Sequence, residues 1–265
     1  SKKKIYMHWM YDVPMGEQLD DDGDSLESIE GCLTDAQYNR DEHRKAVIDD
    51  ILDNWVSQSH NGKFHAILAT SSIPEAIKYY KLFAQRDCGL KTTAVFDPSD
   101  GNNESSIEKI DGIAQMLEDY NSLFGTCFNI SGYASFKRDV CARLAHKTPY
   151  TAVENEPSKC LDILIVVDQM LTGYDSKWLN TLYMDKFYKW SNIEMIIQAF
   201  SRTNRVFNDD KPHGIIRYYR RPYTMKNIIE YAFEQYSGQK PYGIFVAKLI
   251  QNLENMNAAF SDIND

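Results

Sequence analysis

The feature that most constrains the fold is a nearly uninterrupted apolar run at residues 161–167, broken only by Asp162. Such a run is typical of a strand buried on both faces of a parallel sheet, because a half-exposed strand would alternate apolar and polar residues. Other strand-length apolar runs alternate with amphipathic helical segments, which is the pattern of βαβ units. The predicted fold is therefore α/β, and the predicted strands are 5–13, 64–69, 92–96, 161–167, 179–184 and 214–219.

Apolar residues at helical spacing predict the helices. One long helix is expected over 34–60, where Thr34 and Gln37 have the spacing of a capping box. Another is expected to begin at Ser72, followed by Pro74 and Glu75, and to run to about residue 88. The other predicted helices are 105–123, 136–145, 193–203, 224–235 and 242–258, with a turn at 97–103.

Length and composition favour one main core. The 265 residues, 43% hydrophobic and 25% charged, are those of an ordinary globular protein. No apolar run approaches the roughly 18 residues that span a bilayer, and residues 1–5 lack the apolar region of a signal peptide, so we expect a cytoplasmic protein. The five cysteines are scattered without metal-ligand spacing, which predicts reduced thiols and no metal site.

Charge is distributed unevenly along the chain. The net charge of −9 argues at first against nucleic acid, because phosphate binding needs Lys and Arg. However, residues 12–60 hold fourteen acidic and three basic residues, a net charge of −11, whereas residues 176–226 hold ten basic and four acidic, a net charge of +6. The two stretches could serve different partners, although a run of like charges is more often a solvated surface.

Two acidic motifs have simpler explanations than a site. A calcium loop beginning at Asp20 would need glycine at its sixth position and glutamate at its twelfth, where Ser25 and Gly31 stand. Residues 41–43 read Asp-Glu-His, as in a helicase Walker B box, but that box ends an apolar strand and polar residues precede these three. We therefore expect a loop and a helix.

The first candidate site follows the predicted strand 161–167. In an open parallel sheet the ligand crevice lies beyond the carboxyl ends of the strands. There Gly173 would let the backbone approach a ligand, the Thr172 hydroxyl could bind phosphate, and Asp175 could accept a hydrogen bond from ribose. Glycine and aspartate are also common in plain turns, so both interpretations stay open.

The second candidate site lies near the end of the predicted helix 193–203. Arg202 and Arg205 would share a helical face if the helix continues, and paired guanidinium groups suit phosphate oxygens. Arginines near a helix C-terminus are also favourable for the helix dipole. Spacing alone does not choose between these two explanations.

Three segments carry a resemblance: VVDQMLTGYD at 166–175, LNTLYMDK at 179–186 and QAFSRTNR at 198–205. In this order they closely resemble motifs V and VI of the type I restriction enzyme R subunit. Superfamily 2 helicases in general have glycine where Ser201 stands, which favours the restriction motor. Residues 64–83, with ATSS at 69–72, look like motif IV. The resemblance covers about residues 60–225. It implies a RecA-like, P-loop NTPase-type lobe at 61–222. An acidic segment with a long helix would precede the lobe at 1–60, and a helical extension would follow it at 223–265.

The resemblance also implies a role for the lobe. It would be the second motor lobe of an ATP-dependent DNA translocase in a type I restriction endonuclease, facing a first lobe across ATP and Mg²⁺. The implied site residues are Arg205 as the arginine finger, Arg202 and Gln198 at the terminal phosphate, Gly173 and Asp175 at the nucleotide, and Thr172, Thr70, Ser71 and Ser72 at the backbone of double-stranded DNA.

Some parts of such an enzyme have no counterpart in the sequence. It contains no Gly-x-x-x-x-Gly-Lys-[Ser/Thr] phosphate loop, no credible Walker B box and no convincing nuclease motif. We therefore expect that the chain alone binds no cofactor, hydrolyses no ATP and cuts no DNA. The expected partners are the first RecA-like lobe and nuclease domain of the same subunit, and the methyltransferase and specificity subunits, with no membrane.

Two alternatives stay open on the sequence. The chain could be the C-terminal lobe of another superfamily 2 helicase or remodeller, which Ser201 and the LNTLYMDK strand disfavour. It could also be a non-enzymatic Rossmann-like binding module whose arginines only cap a helix. Copurification with an ATP-binding segment would argue against the second alternative.

Overall fold

The computed structural model describes residues 13–20, 22–86, 88–96, 106–167, 174–207 and 210–237. Within these residues the chain forms a five-stranded parallel sheet in the order β2-β3-β1-β4-β5, flanked by helices. This arrangement confirms the predicted α/β, RecA-like fold class. The strands are β1 His65–Thr70, β2 Thr92–Val95, β3 Ile163–Val166, β4 Leu179–Asp185 and β5 Ile215–Tyr218.

Within the described residues, helices connect β1 to β2, β2 to β3 and β4 to β5, as in βαβ units. The α-helices are α1 Asp35–Tyr38, α2 Asp41–Gln58, α3 Ile73–Gln85, α4 Ser106–Phe124, α5 Tyr133–Leu144, α6 Ile193–Ser201 and α7 Pro222–Ser237. Short 3-10 turns occupy Ile130–Gly132, Val153–Asn155, Pro157–Lys159 and Trp190–Asn192. The predictions for 97–103 and 242–258 lie outside the described residues. So does the strand predicted at 5–13, except for Val13, which is not in a strand.

The middle of the sheet is more buried than its edges. Every residue of β1, β3 and β4 is buried, whereas all four residues of the edge strand β5 are half-buried. The strand predicted from the apolar run is β3, one position from the centre, and β1 occupies the centre itself. Their register pairs Ala66 with Ile163. Most side chains in these strands are apolar, which is what allows helices to cover both faces.

The expectation of one long helix over 34–60 is wrong. α1 ends at Tyr38, Arg40 is extended with φ −115° and ψ 151°, and α2 begins at Asp41. The break is held by tertiary contacts, because the Tyr38 hydroxyl accepts a hydrogen bond from the Arg221 amide at 3.1 Å and Asn39 Oδ1 accepts one from Arg220 at 3.1 Å. A continuous helix would lose these bonds.

The acidic N-terminal stretch contacts the basic stretch of the same chain. Asp50 accepts hydrogen bonds from Arg217 at 2.9 Å and from the Tyr219 hydroxyl at 2.7 Å. Glu30 accepts the amides of Tyr223 at 3.1 Å and Thr224 at 2.7 Å, at the positive N-terminal end of α7. The two stretches therefore neutralise one another in part instead of serving only outside partners.

Candidate functional site

The two candidate arginines converge on one segment, although not through a shared helical face. α6 ends at Ser201 and the chain turns, so the helix does not continue to Arg205. Arg202 Nη1 nevertheless donates to the Tyr174 carbonyl at 3.3 Å, and Arg205 Nε donates to Asp175 Oδ1 at 2.9 Å. Residues predicted from two separate motifs are thus adjacent in space.

The ion pair between Arg205 and Asp175 is a surface pair. The two side chains are 53% and 61% exposed. Pairs of this kind stabilise a fold by about 0–1 kcal/mol, because water screens both charges. The Arg205 guanidinium can therefore leave Asp175 for a more highly charged anion at little cost to the fold.

This convergence lies at the amino-terminal edge of the sheet, which corrects the expected position at the carboxyl edge. The Tyr174 hydroxyl is 3.0 Å from Nε2 of His65, the first residue of β1, and His65 pairs with Leu179, the first residue of β4. The physical reason is the connection between parallel strands, which must travel from the carboxyl end of β3 to the amino end of β4. Tyr174 and Asp175 lie at the far end of that connection.

His65 supports this edge in its neutral form. The residue is buried, and burial is the main reason why the pKa of its imidazole falls well below the ordinary value. The nearby charges of His146 and Lys211 lower the pKa further. A neutral ring can share a hydrogen bond with the Tyr174 hydroxyl without bringing another buried charge to the edge.

The segment between α6 and β5 is packed closely behind the arginines. Thr203 is buried and its hydroxyl donates to the Phe200 carbonyl at 3.0 Å. Gly214 lies so close that a Cβ added there would be 2.3 Å from Thr203 Cβ. Glycine is required at 214 by this close approach, which the sequence alone did not reveal.

The other predicted nucleotide residues are only partly described. Gln198 lies one turn before Arg202 on α6 with an exposed side chain, and its carbonyl accepts a hydrogen bond from the Ser201 hydroxyl at 2.7 Å. Thr172 and Gly173 lie outside the described residues, so their roles stay predictions. The described part of the site thus brings together Arg202, Arg205 and the segment that contains Asp175.

The described candidate DNA-binding residues, Thr70, Ser71 and Ser72, lie at the opposite, carboxyl-terminal edge. Thr70 ends β1 and is fully buried, and its hydroxyl donates to the Val166 carbonyl at 3.0 Å. Ser72 caps α3, because its hydroxyl accepts the Glu75 amide at 3.4 Å. Of these three described residues, only Ser71 has an exposed side chain. A phosphate contact through the Thr70 hydroxyl would require that group to break its bond to β3.

A buried charge network behind this edge was missed by sequence reasoning. Asp185, at the end of β4, accepts hydrogen bonds from Arg220 Nε and Nη2, both at 3.0 Å, and from the Tyr79 hydroxyl at 3.0 Å. His43 Nε2 lies 2.7 Å from Asp185 Oδ1, the oxygen that also accepts from Arg220 Nε. Burial would raise the pKa of Asp185, but the hydrogen bonds from His43 and Arg220 and their charges hold it below the ordinary value. The only sequence signal was an acid ending one apolar strand and an arginine following the next.

The described residues contain neither a membrane-spanning helix nor a cluster of metal ligands. No helix in the described part of the chain has both the length and the apolar character to cross a bilayer. Among the same residues, no group of three or more His, Cys, Asp and Glu side chains is placed to hold a metal ion.

Comparison with known proteins places the chain in a family. A family model described as type I restriction enzyme subunit R domain 3 matches residues 62–221, which is more than half of the chain. The chain belongs to the type I restriction enzyme R-subunit family. The matched range of this R-subunit sequence contains the whole sheet, both arginines, and Tyr79, Asp185 and Arg220 of the buried network, and it confirms the resemblance carried by the three segments.

Individual relatives agree with the family model. The chain is 32% identical over 213 residues to the type I restriction enzyme SsaAORF53P endonuclease subunit of Staphylococcus saprophyticus, covering 77% of this chain and 22% of that protein. It is 31% identical over 200 residues to the SauMRSORF196P endonuclease subunit of Staphylococcus aureus MRSA252, covering 72% and 20%. A shorter match, 42% over 60 residues, covers 22% of the chain and 5% of the HindI endonuclease subunit of Haemophilus influenzae. The aligned R-subunit sequence spans about a fifth of the two longer-matched relatives.

Proposed function

We propose that this chain is the second RecA-like lobe of the ATP-dependent DNA translocase in a type I restriction endonuclease. The observation that carries the proposal is the convergence of Arg202 and Arg205 on the Tyr174–Asp175 segment, inside the range matched by the R-subunit family model. A nucleotide site at a lobe interface needs an arginine side chain that can move onto the phosphate, and a backbone that holds the arginine and its carboxylate partner close together.

Arg205 would be the arginine finger and Arg202 would hold the terminal phosphate with Gln198. A polyphosphate could reach the exposed Arg205 guanidinium, which its exposed partner Asp175 holds only weakly. Guanidinium groups bind phosphate through charge-assisted paired hydrogen bonds. An arginine finger contributes about 10³–10⁵ in rate by neutralising the charge that spreads over the transferring phosphoryl group.

ATP and Mg²⁺ would be held mainly by a first lobe, since the phosphate loop and Walker B box are not found in this sequence. From this side, Arg205, Arg202, Gln198, Gly173 and Asp175 would meet the nucleotide. When bound, the nucleotide and its metal supply the phosphoryl chemistry. The chain's own part would be to place positive charge at one position. Alone, the chain would be inactive.

The backbone of double-stranded DNA would contact the opposite edge of the sheet. The exposed Ser71 hydroxyl and the N-terminal end of α3 are suited to phosphate oxygens, because helix N-termini carry partial positive charge. We keep Thr70 and Ser72 as residues of the same surface, and Thr172 as a further residue of the proposed DNA contact. Phosphate contacts carry no sequence information, which suits a motor that moves along any sequence. Recognition would belong to the specificity subunit, in a cytoplasmic complex that also holds the methyltransferase subunits and a nuclease domain.

Complementation tests the proposal. The chain is mixed with an ATP-binding first lobe of the same family, and DNA-stimulated ATP hydrolysis is measured for the wild type and Arg205→Ala. We expect hydrolysis only when both parts are present, with a loss of at least about a hundredfold in the variant. Arg138→Ala is the matched control, because Arg138 is an exposed arginine on α5. An assembled complex whose hydrolysis is indifferent to Arg205 would contradict the proposal.

A further inference from the structure

We propose that Lys211 is a positioning residue for Arg205: its buried ammonium group joins the carbonyl of Arg205 to the carbonyl of Lys177 and so fixes the loop that carries the arginine. Lys211 has no place among the residues that the motifs predict. Its consequence for ATP hydrolysis rests on the proposed function, whereas its effect on the loop does not.

The geometry of the ammonium group is that of a bridge. Lys211 Nζ donates to the Arg205 carbonyl at 2.7 Å and to the Lys177 carbonyl at 3.2 Å. The residue is only 1% exposed. The Phe207 amide also donates to the Lys211 carbonyl at 3.1 Å, which closes the loop and returns the lysine side chain beneath Arg205.

Burying the charged ammonium group of Lys211 costs free energy, and the hydrogen bonds of that group must offset the cost. Among the described residues, both acceptors of the ammonium group are neutral carbonyls. Burial lowers the pKa of Lys211 to about 8, which is the expected effect on a desolvated cation. An aliphatic side chain would be easier to bury. What lysine adds is a set of directed donors at the end of a long stem, and hydrogen bonds from a charged donor are the stronger ones.

The bridge joins the two segments that form the candidate nucleotide site. Lys177 lies two residues after Asp175, and the other acceptor is Arg205 itself. The exposed ion pair between Arg205 and Asp175 is too weak to hold these segments in place. A second anchor is the Phe207 ring, which packs against Trp178 with a centroid distance of 4.5 Å. That contact holds the loop two residues beyond the arginine, and the ammonium group holds the backbone of the arginine itself.

Accurate placement is what an arginine finger requires. A displacement of about 1 Å can reduce a catalysed rate by about 10²-fold, because the stabilising charge no longer faces the position where negative charge develops. Loss of the bridge should therefore reduce turnover without removing any group that contacts the nucleotide. The reduction should depend on the presence of Arg205.

The structural arm of the test uses this chain alone. Lys211→Met keeps the length of the stem and removes the donors, and Lys226→Met is the matched control at an exposed lysine of α7. Hydrogen–deuterium exchange is expected to become faster in peptides spanning 203–211 and 174–178 in the first variant, with β1 and β4 protected as in the wild type. Unchanged exchange in both peptides would overturn the proposal.

The functional arm uses the complemented complex and DNA-stimulated ATP hydrolysis. We expect Lys211→Met to lower kcat by about 10- to 100-fold while the KM for ATP changes far less. In an Arg205→Ala background the same substitution should cause little further loss. A full additional loss in that background would overturn a role through Arg205. Faster exchange together with hydrolysis that is indifferent to Arg205→Ala would instead overturn the proposed function and leave Lys211 as an anchor of the loop only.

A second variant guards against loss of the fold. If thermal unfolding shows that Lys211→Met is mostly unfolded at the assay temperature, Lys211→Gln is used, because its amide retains N–H donors in a buried position. We expect the glutamine variant to fold. Its hydrogen–deuterium exchange rate in the peptide 203–211 should lie between the rates of the wild type and the methionine variant. Wild-type exchange and wild-type kcat in the glutamine variant, which has a shorter and uncharged side chain, would count against the bridge.

Discussion

At the scale of single residues, His65 shows how burial changes the chemistry of an ordinary side chain. It is 5% exposed, at the first position of the central strand, and its Nε2 lies 3.0 Å from the Tyr174 hydroxyl. Burial is the first cause of its lowered pKa, so the folded protein keeps the ring neutral under conditions in which an unfolded chain would protonate it.

This residue predicts a loss of stability in mild acid. Because the pKa of His65 is lower in the folded state, the unfolded state binds more protons below the ordinary value of 6.5, and the free energy of unfolding falls as the pH drops through that region. We expect His65→Gln to reduce the fall between about pH 7 and pH 5. Urea unfolding at several pH values measures it. His213→Gln, at an exposed histidine, should retain the wild-type pH dependence. An equally steep fall for His65→Gln would contradict the prediction.

At the scale of elements, the Asp185 network joins parts of the chain that are distant in sequence. Asp185 ends β4, Arg220 follows β5, Tyr79 is on α3 and His43 is on α2. Asp185 is fully buried, and Arg220 is 3% exposed at its side chain. The burial of these charges is tolerable because each has several polar partners, so the network fixes how the helices sit on the sheet.

Removing the carboxylate from this network should destabilise the fold strongly. We expect Asp185→Asn to lower the free energy of unfolding by about 3–5 kcal/mol, because Arg220 would remain buried without its counterion. Chemical denaturation measures this loss. Asp53→Asn is the matched control at an exposed carboxylate of α2 and should have little effect. A loss below about 1 kcal/mol for Asp185→Asn, as for a surface pair, would show that the network adds little.

At the scale of the whole molecule, the sheet separates two sets of candidate residues. Arg202, Arg205 and Asp175 lie at its amino-terminal edge, and Ser71 and Ser72 lie at its carboxyl-terminal edge. The proposed motor role would use this separation, because changes at the nucleotide would have to reach the DNA through a body that does not deform. The buried parallel strands between the edges supply that body.

This separation predicts that variants at the two edges have different effects. In the complemented complex, Arg205→Ala should lower ATP turnover and leave DNA affinity nearly unchanged. Ser71→Asp should weaken DNA binding several-fold by repelling phosphate, with normal turnover at saturating DNA. Ser135→Asp, at an exposed serine of α5, is the control. Titrations with labelled duplex and steady-state ATP hydrolysis provide both measurements. If Arg205→Ala or Ser71→Asp lowered both ATP turnover and DNA affinity, the two edges would not act separately.

The elements that could be predicted were those governed by local chemistry. The strands at 64–69, 92–96, 161–167, 179–184 and 214–219 were each found within about two residues of their predicted bounds, because an apolar run between turn residues has few other structures open to it. The cap at Ser72 was also found. The single helix over 34–60 was not, because the contacts that break it come from residues about 180 positions away.

The candidate site also combines features that local sequence predicts with features that depend on long-range contacts. The sequence by itself determined the parallel α/β fold, the family and the choice of Arg202, Arg205 and Asp175, since residue types and their order are present before the chain folds. Only the tertiary structure decided that these residues lie at the amino-terminal edge, and that Lys211 lies beneath Arg205. Bonds of this second kind join segments far apart in the chain, and their distances depend on how the connections cross the sheet. That geometry could not be predicted from the local sequence.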